Sequence, residues 1–325
     1  MIRAGIIGGA GYTAGELIRL IIHHPALDLD FVYSTSNAGN EISLVHSDLV
    51  GESLPVFSSE INPEVDVLFL CLGHGNSKKF LLENEVSAST HIIDLSNDFR
   101  LQGSSELGER KFIYGLPELN ASEIGRAKYL ANPGCFATAI QLALLPLAAA
   151  GLIEDDVHVN AVTGATGAGV SLSNTTHFTW RDNNFSHYKA FSHQHLGEVT
   201  QSLGRLQPEF DKEVYFLPNR GNFSRGIFAT AYTRYRGNLE EAIDLYSRYY
   251  EKAPFTFLSE RELFLKQVVN TNKCLVHLKK HKDMLLITSI IDNLLKGASG
   301  QAIENMNLMF GLDQKLGLEL KANFF

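Results

Sequence analysis

The sequence predicts two domains: an α/β Rossmann-type dinucleotide-binding domain, followed by an α+β domain with a largely antiparallel sheet. A glycine-rich loop separates the first apolar strand from the first helix, which is the context of a dinucleotide fingerprint. Apolar strands then alternate with helices up to Gly151, and after it strands follow one another with few helices between them. The length of 325 residues suits two domains.

Composition is that of a globular chain with a sizeable core, because 45% of the residues are hydrophobic and 20% are charged. The net charge is −8 and no long Lys/Arg cluster occurs, so we expect no nucleic-acid partner. No apolar run reaches the roughly 18 residues of a membrane helix, and the first residues lack the regions of a signal peptide. Cys71, Cys135 and Cys274 are too few and too scattered for a disulfide framework or a zinc cluster. We therefore expect a cytoplasmic chain without a metal site.

The glycine loop lies at residues 8–15, between a strand at 4–7 and a helix at 16–23. Within it, Gly9, Gly11 and Ala14 fit the G-x-G-x-x-G/A pattern, and Gly8 offers a second register. Such glycines let the backbone approach a pyrophosphate, whose charge the helix start stabilises. The alternative is an ordinary glycine turn. The candidate cofactor-binding residues of this loop are Gly8, Gly11, Tyr12, Thr13 and Ala14.

The second strand, at 29–33, ends in hydroxyl and amide side chains at 34–37. An NAD-specific site usually has Asp or Glu at this strand end, where it binds the ribose 2′-hydroxyl. Here no carboxylate is present to repel a 2′-phosphate, and hydroxyl groups can donate to it. Ser34 and Ser36 therefore predict NADP (NADPH) as the cofactor, although a polar turn with no such role fits the same residues.

Two further strands, at 65–71 and 91–95, should end at the same edge of a parallel sheet, where ligands bind in open α/β folds. Arg100 follows the second of them and is a candidate anion ligand, since its guanidinium fits phosphate or carboxylate. A solvated loop arginine is the alternative.

Cys135 stands at the junction of the two halves, where the sequence NPGCFAT at 132–138 leads into an Ala- and Leu-rich segment at 136–152. That composition predicts a helix with Cys135 at its start. Unpaired N–H groups and the positive end of the helix dipole favour a thiolate there, which makes Cys135 a candidate nucleophile. The alternative is a small apolar residue buried at a helix entry.

The second half contains a glycine-rich loop at 164–171, one long helix at 239–252 and a helical C-terminal segment at 297–310. Its predicted strands are at 157–163, 214–217, 227–234, 273–278 and 285–291. His193 and His195 lie in a loop that leads into a helix, and one of them is a candidate acid/base partner for Cys135. Surface histidines are the alternative, and no further ligand at suitable spacing supports a metal site.

Seven segments together resemble the N-acetyl-γ-glutamyl-phosphate reductase family and, more distantly, the aspartate-semialdehyde dehydrogenases. They are GGAGYTAGEL at 8–17, DLSNDFRL at 94–101, NPGCFATA at 132–139, TGATGAG at 163–169, HQHLGEV at 193–199, GNFSRGI at 221–227 and DNLLKGASGQA at 292–302. They occur in order along nearly the whole chain. In two places the sequence departs from the family pattern. Gln194 and Gly197 replace an Arg and a Pro, and Arg220 lies where many members have a His-containing loop.

The resemblance implies an NADP-binding domain at 1–133, completed by a C-terminal helix at 298–325, and a catalytic and dimerisation domain at 134–297. It implies that Cys135 attacks an acyl phosphate and forms a thioester, which NADPH reduces to a semialdehyde in arginine biosynthesis. A histidine acts as acid/base, His195 being preferred and His193 kept as the alternative. The implied ligand-binding residues are Asn293 for the carboxamide of the cofactor, and Arg100, Asn132, Tyr188 and Arg225 for the substrate.

Two alternative functions are compatible with some of these features. A reductase of another acyl phosphate, such as aspartyl phosphate or a one-carbon-longer N-acylaminoadipyl phosphate, uses the same chemistry. A non-catalytic dinucleotide sensor keeps the glycine loop but does not need the cysteine. The sequence leaves open whether the acyl group is acetyl or succinyl, and whether the expected homo-oligomer is a dimer or a tetramer.

Overall fold

A computed structural model describes all residues, 1–325, and contains eight α-helices and fifteen strands. The helices are α1 (Tyr12–Ile21), α2 (Asn76–Glu83), α3 (Pro117–Ile124), α4 (Cys135–Ala149), α5 (Phe178–Arg181), α6 (His195–Leu206), α7 (Leu239–Tyr250) and α8 (Ser299–Met309). The strands are β1 (Ile2–Ile7), β2 (Leu27–Tyr33), β3 (Phe57–Ser58), β4 (Val67–Leu70), β5 (His91–Asp94), β6 (Glu106–Leu107), β7 (Arg110–Tyr114), β8 (Tyr129–Ala131), β9 (Val157–Thr163), β10 (Ser186–His187), β11 (Val214–Arg220), β12 (Ile227–Arg234), β13 (Thr256–Leu258), β14 (Cys274–His281) and β15 (Met284–Ile291).

The chain divides into two compact units. The first contains Met1–Pro133 and Ala298–Leu318, and the second contains Gly134–Gly297 and Glu319–Phe325. No helix combines the length and the apolar composition that crossing a membrane requires.

The first unit is built on an eight-stranded sheet with the order β3-β2-β1-β4-β5-β8-β7-β6. Every pairing from β3 to β7 is parallel, and only β6 joins antiparallel. The chain order reverses between β1 and β4, so the carboxyl ends of these two strands form a topological switch point, where open α/β sheets bind ligands. The loop after β1, which is the glycine loop, therefore lies at this position.

The second unit contains a seven-stranded sheet with the order β10-β11-β9-β12-β15-β14-β13. Its central strands pair antiparallel, while β11 with β9 and β13 with β14 pair parallel. The predicted fold class, a Rossmann-type domain followed by an α+β domain with a largely antiparallel sheet, is therefore confirmed.

The centre of the second unit is α4, which is apolar on all sides and buried along nearly its whole length. Pro146 lies inside this helix and has no N–H to donate to the carbonyl of Leu142 four residues earlier. The hydroxyl of Tyr250 donates to that carbonyl at 2.6 Å, and the hydroxyl of Tyr246 donates to Ala143 O at 2.6 Å. Two tyrosines of α7 thus satisfy carbonyl groups near the proline, where an orphan acceptor would otherwise be buried.

Two helix boundaries differ from those predicted. The first helix begins at Tyr12, four residues before the predicted start, so Tyr12, Thr13 and Ala14 form its first turn instead of belonging to the loop. The C-terminal helix that the resemblance implies at 298–325 is shorter in the structure, because α8 ends at Met309, near the end of the segment predicted from the residues at 297–310. Gly311 takes the left-handed conformation at φ +67°, and Leu312 N donates back to Asn307 O at 2.8 Å, which terminates the helix.

Candidate functional site

In the first unit, the glycine loop lies close against the strands that carry it. Gly8 has a φ of +86°, and a Cβ there would lie 2.8 Å from the carbonyl oxygen of Cys71. A Cβ on Gly9 would lie 2.3 Å from Val32, whereas a Cβ on Gly11 would meet no atom within 4 Å. The loop is therefore packed on its strand side and open at Gly11, directly before α1.

The N-terminus of α1 fits a bound pyrophosphate. Gly11 is its N-cap, no side chain caps it, and no acidic residue lies in its first turn. Backbone N–H groups and the positive end of the helix dipole at such a terminus stabilise a phosphate charge. Of the predicted loop residues, Tyr12, Thr13 and Ala14 follow the N-cap Gly11 in the first turn of α1, whereas Gly8 directly follows β1.

His46 supports the glycine loop and was not predicted from the sequence. Its Nε2 donates to Gly9 O at 2.7 Å, and its ring lies against Gly15, where an added Cβ would be 2.6 Å from Nδ1. The residue lies 37 positions along the chain from Gly9 and no recognised motif contains it. A lone histidine between two short 3₁₀ turns gives no sequence signal for this contact.

The end of β2 carries the residues predicted to select the cofactor. Ser34 is buried, Ser36 is exposed, and the amide of Asn37 donates to the hydroxyl oxygens of both at 3.3 and 3.0 Å. Asp28 and Asp30 are exposed positions earlier on β2, not at its end. The strand end therefore presents hydroxyl and amide groups and no carboxylate.

In the second unit, Cys135 is the first residue of α4, as predicted. Gly134 is the N-cap in an extended conformation, and no side chain caps the helix through its hydroxyl or amide. A Cβ on Gly297 would lie 2.8 Å from the Cβ of Cys135, so this position tolerates only glycine without displacement. Cys135 itself is partly accessible.

His195 and Glu198 lie at the same helix start. His195 is the first residue of α6, and a Cβ on Gly134 would come within 2.3 Å of its Nε2. The buried carboxylate of Glu198 accepts from Gly134 N at 2.9 Å, and its other oxygen is 4.0 Å from His195 Nε2. A thiol, an imidazole and a carboxylate therefore lie at one helix start. Glu198 was not predicted as a site residue, because its i,i+3 spacing from His195 is ordinary on a helix.

His193 lies beside His195, with the ring centroids 4.6 Å apart. Its Nδ1 accepts from the backbone N of His195 at 3.2 Å, so Nδ1 carries no proton. Burial, followed by the charges of Lys189 and Arg220, lowers the pKa of His193 to about 4. His193 is therefore neutral near pH 7, with its proton on Nε2.

Tyr188, a predicted substrate residue, packs edge-on to His193 with the centroids 5.8 Å apart. The guanidinium carbon of Arg220 lies 4.8 Å from the centre of its ring. Burial raises the pKa of Tyr188 to about 12, and the charge of Cys135 adds to the increase, so the tyrosine remains a neutral phenol near the cysteine.

Arg100 and Asn132, in the first unit, are tied into its backbone. The guanidinium of Arg100 is buried and donates to Asn132 O at 2.8 Å and to Leu95 O at 2.9 Å. The side chain of Asn132 donates to Ala298 O at 2.9 Å and accepts from Asn305 at 3.0 Å. Both residues hold the segment that leads towards Cys135.

Arg225 and Asn293, in the second unit, also have protein partners. Arg225 forms a two-point ion pair with the buried carboxylate of Asp292, at 3.1 and 3.2 Å. Asn293 is buried, accepts from Gly226 N at 2.7 Å and donates to Thr166 Oγ1 at 3.0 Å. The side chains predicted to bind substrate and cofactor are therefore engaged in holding neighbouring loops.

The other cysteines differ from Cys135. Burial raises the pKa of the Cys71 thiol to about 12, and Cys274 is fully buried against the hydroxyl of Ser289 at 3.4 Å. All three are free thiols. No group of three or more His, Cys, Asp and Glu side chains is arranged to hold a metal ion.

Family models match both units. The NAD binding domain of semialdehyde dehydrogenase matches residues 3–127, and the semialdehyde dehydrogenase dimerisation domain matches residues 135–293. A solved structure with the same fold is that of aspartate semialdehyde dehydrogenase II from Vibrio cholerae, with a TM-score of 0.73 at 16% identity over 96% of this chain and 98% of that one. The chain belongs to the semialdehyde dehydrogenase family.

Within that family, the curated relatives are more specific. The N-acetyl-gamma-glutamyl-phosphate reductase of Christiangramia forsetii is 64% identical and that of Flavobacterium johnsoniae is 59% identical, each over 100% of both chains. These matches confirm the resemblance inferred from the seven sequence segments.

Proposed function

We propose that the chain catalyses the NADPH-dependent reductive dephosphorylation of N-acetyl-γ-glutamyl phosphate to N-acetylglutamate semialdehyde, a step of arginine biosynthesis. The observation that carries this proposal is the thiol of Cys135 at the start of α4, with His195 and Glu198 at the same helix terminus. Full-length relatives at 64% and 59% identity bear the name of this activity.

In this mechanism the Cys135 thiolate attacks the γ-carbonyl carbon of the acyl phosphate. The C–O bond to phosphate breaks, inorganic phosphate leaves with the bonding electron pair, and a thioester remains. NADPH, held by the glycine loop and the start of α1, would supply the hydride that reduces the thioester carbon. The resulting thiohemiacetal releases the semialdehyde and returns the thiolate. The N–H groups at the start of α4 are suited to stabilise the oxyanion that develops on the acyl oxygen.

We assign His195 as the acid/base. It protonates the oxyanion during reduction and removes that proton as the thiohemiacetal collapses. Glu198 is a positioning residue, since its carboxylate lies 4.0 Å from His195 Nε2 and balances the charge of the imidazolium. His193, neutral and donating through Nε2, is assigned to orient the substrate together with Tyr188.

The first unit would bind NADPH through Gly8, Gly11 and the first turn of α1, with His46 holding Gly9 in place. Ser34 and Ser36 favour the 2′-phosphate because they can donate hydrogen bonds and no carboxylate opposes it. For the predicted ligand residues Arg100, Asn132, Arg225 and Asn293, their protein partners support a role in fixing the loops around the ligands rather than in direct contact.

We further propose that residues 1–133 with α8 form the cofactor domain, and residues 134–297 the catalytic and oligomerising domain. The match of residues 135–293 to a dimerisation domain supports a homo-oligomer, either a dimer or a tetramer. Three free thiols are compatible with a cytoplasmic location.

The test is the reverse reaction, with the purified chain, NADP⁺, inorganic phosphate and N-acetylglutamate semialdehyde. Phosphate-dependent formation of NADPH is expected. Aspartate semialdehyde, the N-succinyl analogue and the one-carbon-longer semialdehyde are the comparison substrates. A larger kcat/KM for one of them would assign the chain to that substrate, and no turnover with any would favour a dinucleotide sensor.

A further inference from the structure

Two arginines in the second unit are buried without a carboxylate partner. Arg181 and Arg220 expose only 8% and 9% of their surface. Arg181 donates to the carbonyl oxygens of Arg220 and Thr175, both at 3.1 Å, and Arg220 donates to Ala165 O at 3.3 Å. By contrast, Arg225 in the same unit pairs with Asp292.

Such an arrangement is unfavourable for the protein alone. A buried guanidinium requires an opposite charge, because hydrogen bonds to neutral carbonyls replace only part of its hydration. Burial, followed by the charge of Arg220, lowers the pKa of Arg181, which means that the two cations repel each other. An anion placed between or beside them would relieve both effects.

Polar atoms with no partner in the protein lie in the same region. The Nε of Arg181 and the Oγ1 of Thr163 are both buried and make no hydrogen bond. Gly167 lies against two of these residues, since a Cβ there would make a tight contact of 3.2 Å with Thr163 Oγ1 and would lie 3.8 Å from Arg220 Nη1. Two donors without partners and excess positive charge therefore coincide at the glycine loop after β9.

This cluster is close to the reacting groups of its own unit. Arg220 stacks on Tyr188, and Tyr188 contacts His193. The charges of Arg220 and Cys135 both act on the Tyr188 phenol, with opposite effects on its pKa. Tyr188 thus lies within electrostatic range of the nucleophile as well as against the arginine.

We propose that Arg220, supported by Arg181 and Thr163, binds an oxyanion group of the substrate. The inference rests on the proposed function, whose substrate carries two such groups, the acyl phosphate and the α-carboxylate. Both have the chemistry that a guanidinium recognises, two acceptor oxygens presented side by side. Arg220 is a substrate-binding residue in this proposal, and Arg181 is a positioning residue that fixes the Arg220 backbone.

The test uses the reverse reaction, in which the two groups arrive on separate substrates. The KM values for inorganic phosphate and for N-acetylglutamate semialdehyde are measured with wild type, Arg220→Met and Arg220→Lys. Arg234→Met is the matched control, because Arg234 is an exposed arginine of the same sheet, paired with Asp155 and Asp283. Arg220→Met is expected to raise one KM by about 10- to 100-fold, from the loss of a charged hydrogen-bonding pair. Arg220→Lys should give a smaller increase in the same KM, and Arg234→Met should change neither.

An increase in the phosphate KM would assign the site to the phosphate, and an increase in the semialdehyde KM would assign it to the carboxylate. Unchanged values for both in Arg220→Met would overturn the proposal; should that variant not fold, the same readout on Arg220→Lys decides.

A second readout separates this inference from the proposed function. Inorganic phosphate and N-acetylglutamate are added singly, and thermal unfolding is followed. One of them should raise the melting temperature of wild type and of Arg234→Met more than that of Arg220→Lys. If wild type is inactive with N-acetylglutamate semialdehyde but shows this selective stabilisation, the proposed function fails and the anion site stands. Equal stabilisation of all three proteins, or of none, would argue against the site.

Discussion

The N-termini of α1 and α4 both begin after a glycine N-cap, but they differ in what surrounds that glycine. Each follows a strand through a short turn with glycine as the N-cap, in extended conformation and without a side-chain cap. At α1 the space beside the N-cap Gly11 is open to 4 Å. At α4 the corresponding space beside Gly134 is filled by the imidazole of His195.

The difference lies in where the negative charge comes from. At α1 the first turn contains no acidic side chain, so the positive end of the helix is left for a ligand phosphate. At α4 the carboxylate of Glu198 already accepts from Gly134 N, and a thiol occupies the first helical position. A glycine N-cap therefore indicates a helix N-terminus whose N–H groups can stabilise negative charge. Residues distant in sequence determine whether that N-terminus is suited to an anion or to a nucleophile.

The largest effect is expected from Cys135→Ser. Serine keeps the shape of the helix start but is far less acidic than a thiol, so the reduction of acyl phosphate should fall by at least about three orders of magnitude. NADPH binding, measured by fluorescence titration, should be unchanged. Cys274→Ser is the control and should remain active, because Cys274 is a fully buried residue of β14. In wild type, one equivalent of iodoacetamide should label Cys135 ahead of Cys71 and Cys274. Retained activity in Cys135→Ser would refute the mechanism.

The next largest effect is expected at the histidines. General acid–base assistance is typically worth about 10²- to 10⁴-fold, so His195→Asn should lower kcat and kcat/KM alike by that factor. His193→Asn should act mainly through the substrate KM. Steady-state kinetics on both variants decide the assignment. Exchanged behaviour would reverse the roles, and a loss of less than about tenfold in both would place the acid/base elsewhere.

The two units differ in how much of their structure could be predicted from the sequence. The cofactor loop is local, since its strand, glycines and helix lie within the first 21 residues, so pattern alone identifies it. The contact of His46 with this loop could not be predicted, because no sequence pattern links a histidine to a carbonyl group 37 residues away. The residue pattern predicts the C-terminal helix at 297–310, close to α8, and the left-handed Gly311 follows its end.

In the second unit, the sequence identifies Cys135 from its helix start and the histidines from their chemistry. The partner of that helix start, Glu198, lies 64 residues away from Gly134, and only the packing of α6 on α4 brings them together. The ion pair of Arg225 with Asp292, 67 residues apart, likewise has no signal in the sequence. Side chains that act through non-local pairing are therefore where prediction from the sequence falls short.

Acid should destabilise the fold through His193. Its pKa is 6.5 in the unfolded chain and about 4 in the fold, where burial opposes the charged form. Between these pH values only the unfolded chain binds the proton. The contribution of neutral His193 to the free energy of unfolding is therefore fully present above pH 6.5. It is lost as the pH falls towards 4, by about 3 kcal/mol in total. His193→Asn should lose stability less steeply than wild type in urea unfolding across this range. Parallel pH profiles for the two proteins would contradict the neutral state assigned to His193.

The side chains at the end of β2 should determine whether NADPH or NADH is preferred at the N-terminus of α1. Ser36→Asp places a carboxylate near the expected 2′-phosphate, and the repulsion should lower the NADPH/NADH ratio of kcat/KM by about tenfold. Ser89→Asp is the matched control, since Ser89 is exposed and precedes β5, at the opposite end of the parallel strands. Wild type itself should prefer NADPH. A wild-type preference for NADH would show that the hydroxyl groups at the end of β2 do not bind the 2′-phosphate.

The smallest effect should come from the filled helix start, through Glu198→Gln. The amide oxygen of glutamine can still accept from Gly134 N, so the geometry of α4 and α6 should be preserved. What is lost is the negative charge that balances the His195 imidazolium. Opposite charges 4.0 Å apart attract each other by at least about 1 kcal/mol, which corresponds to roughly a fivefold lower kcat. Because only the protonated form of His195 is affected, the limb of the kcat–pH profile on which His195 loses its proton should move to lower pH, while the NADPH affinity stays constant. Glu198→Ala removes the acceptor as well and should cost more. If Glu198→Gln and Glu198→Ala lower kcat equally and neither moves that limb, the carboxylate only caps α4 and does not act through His195.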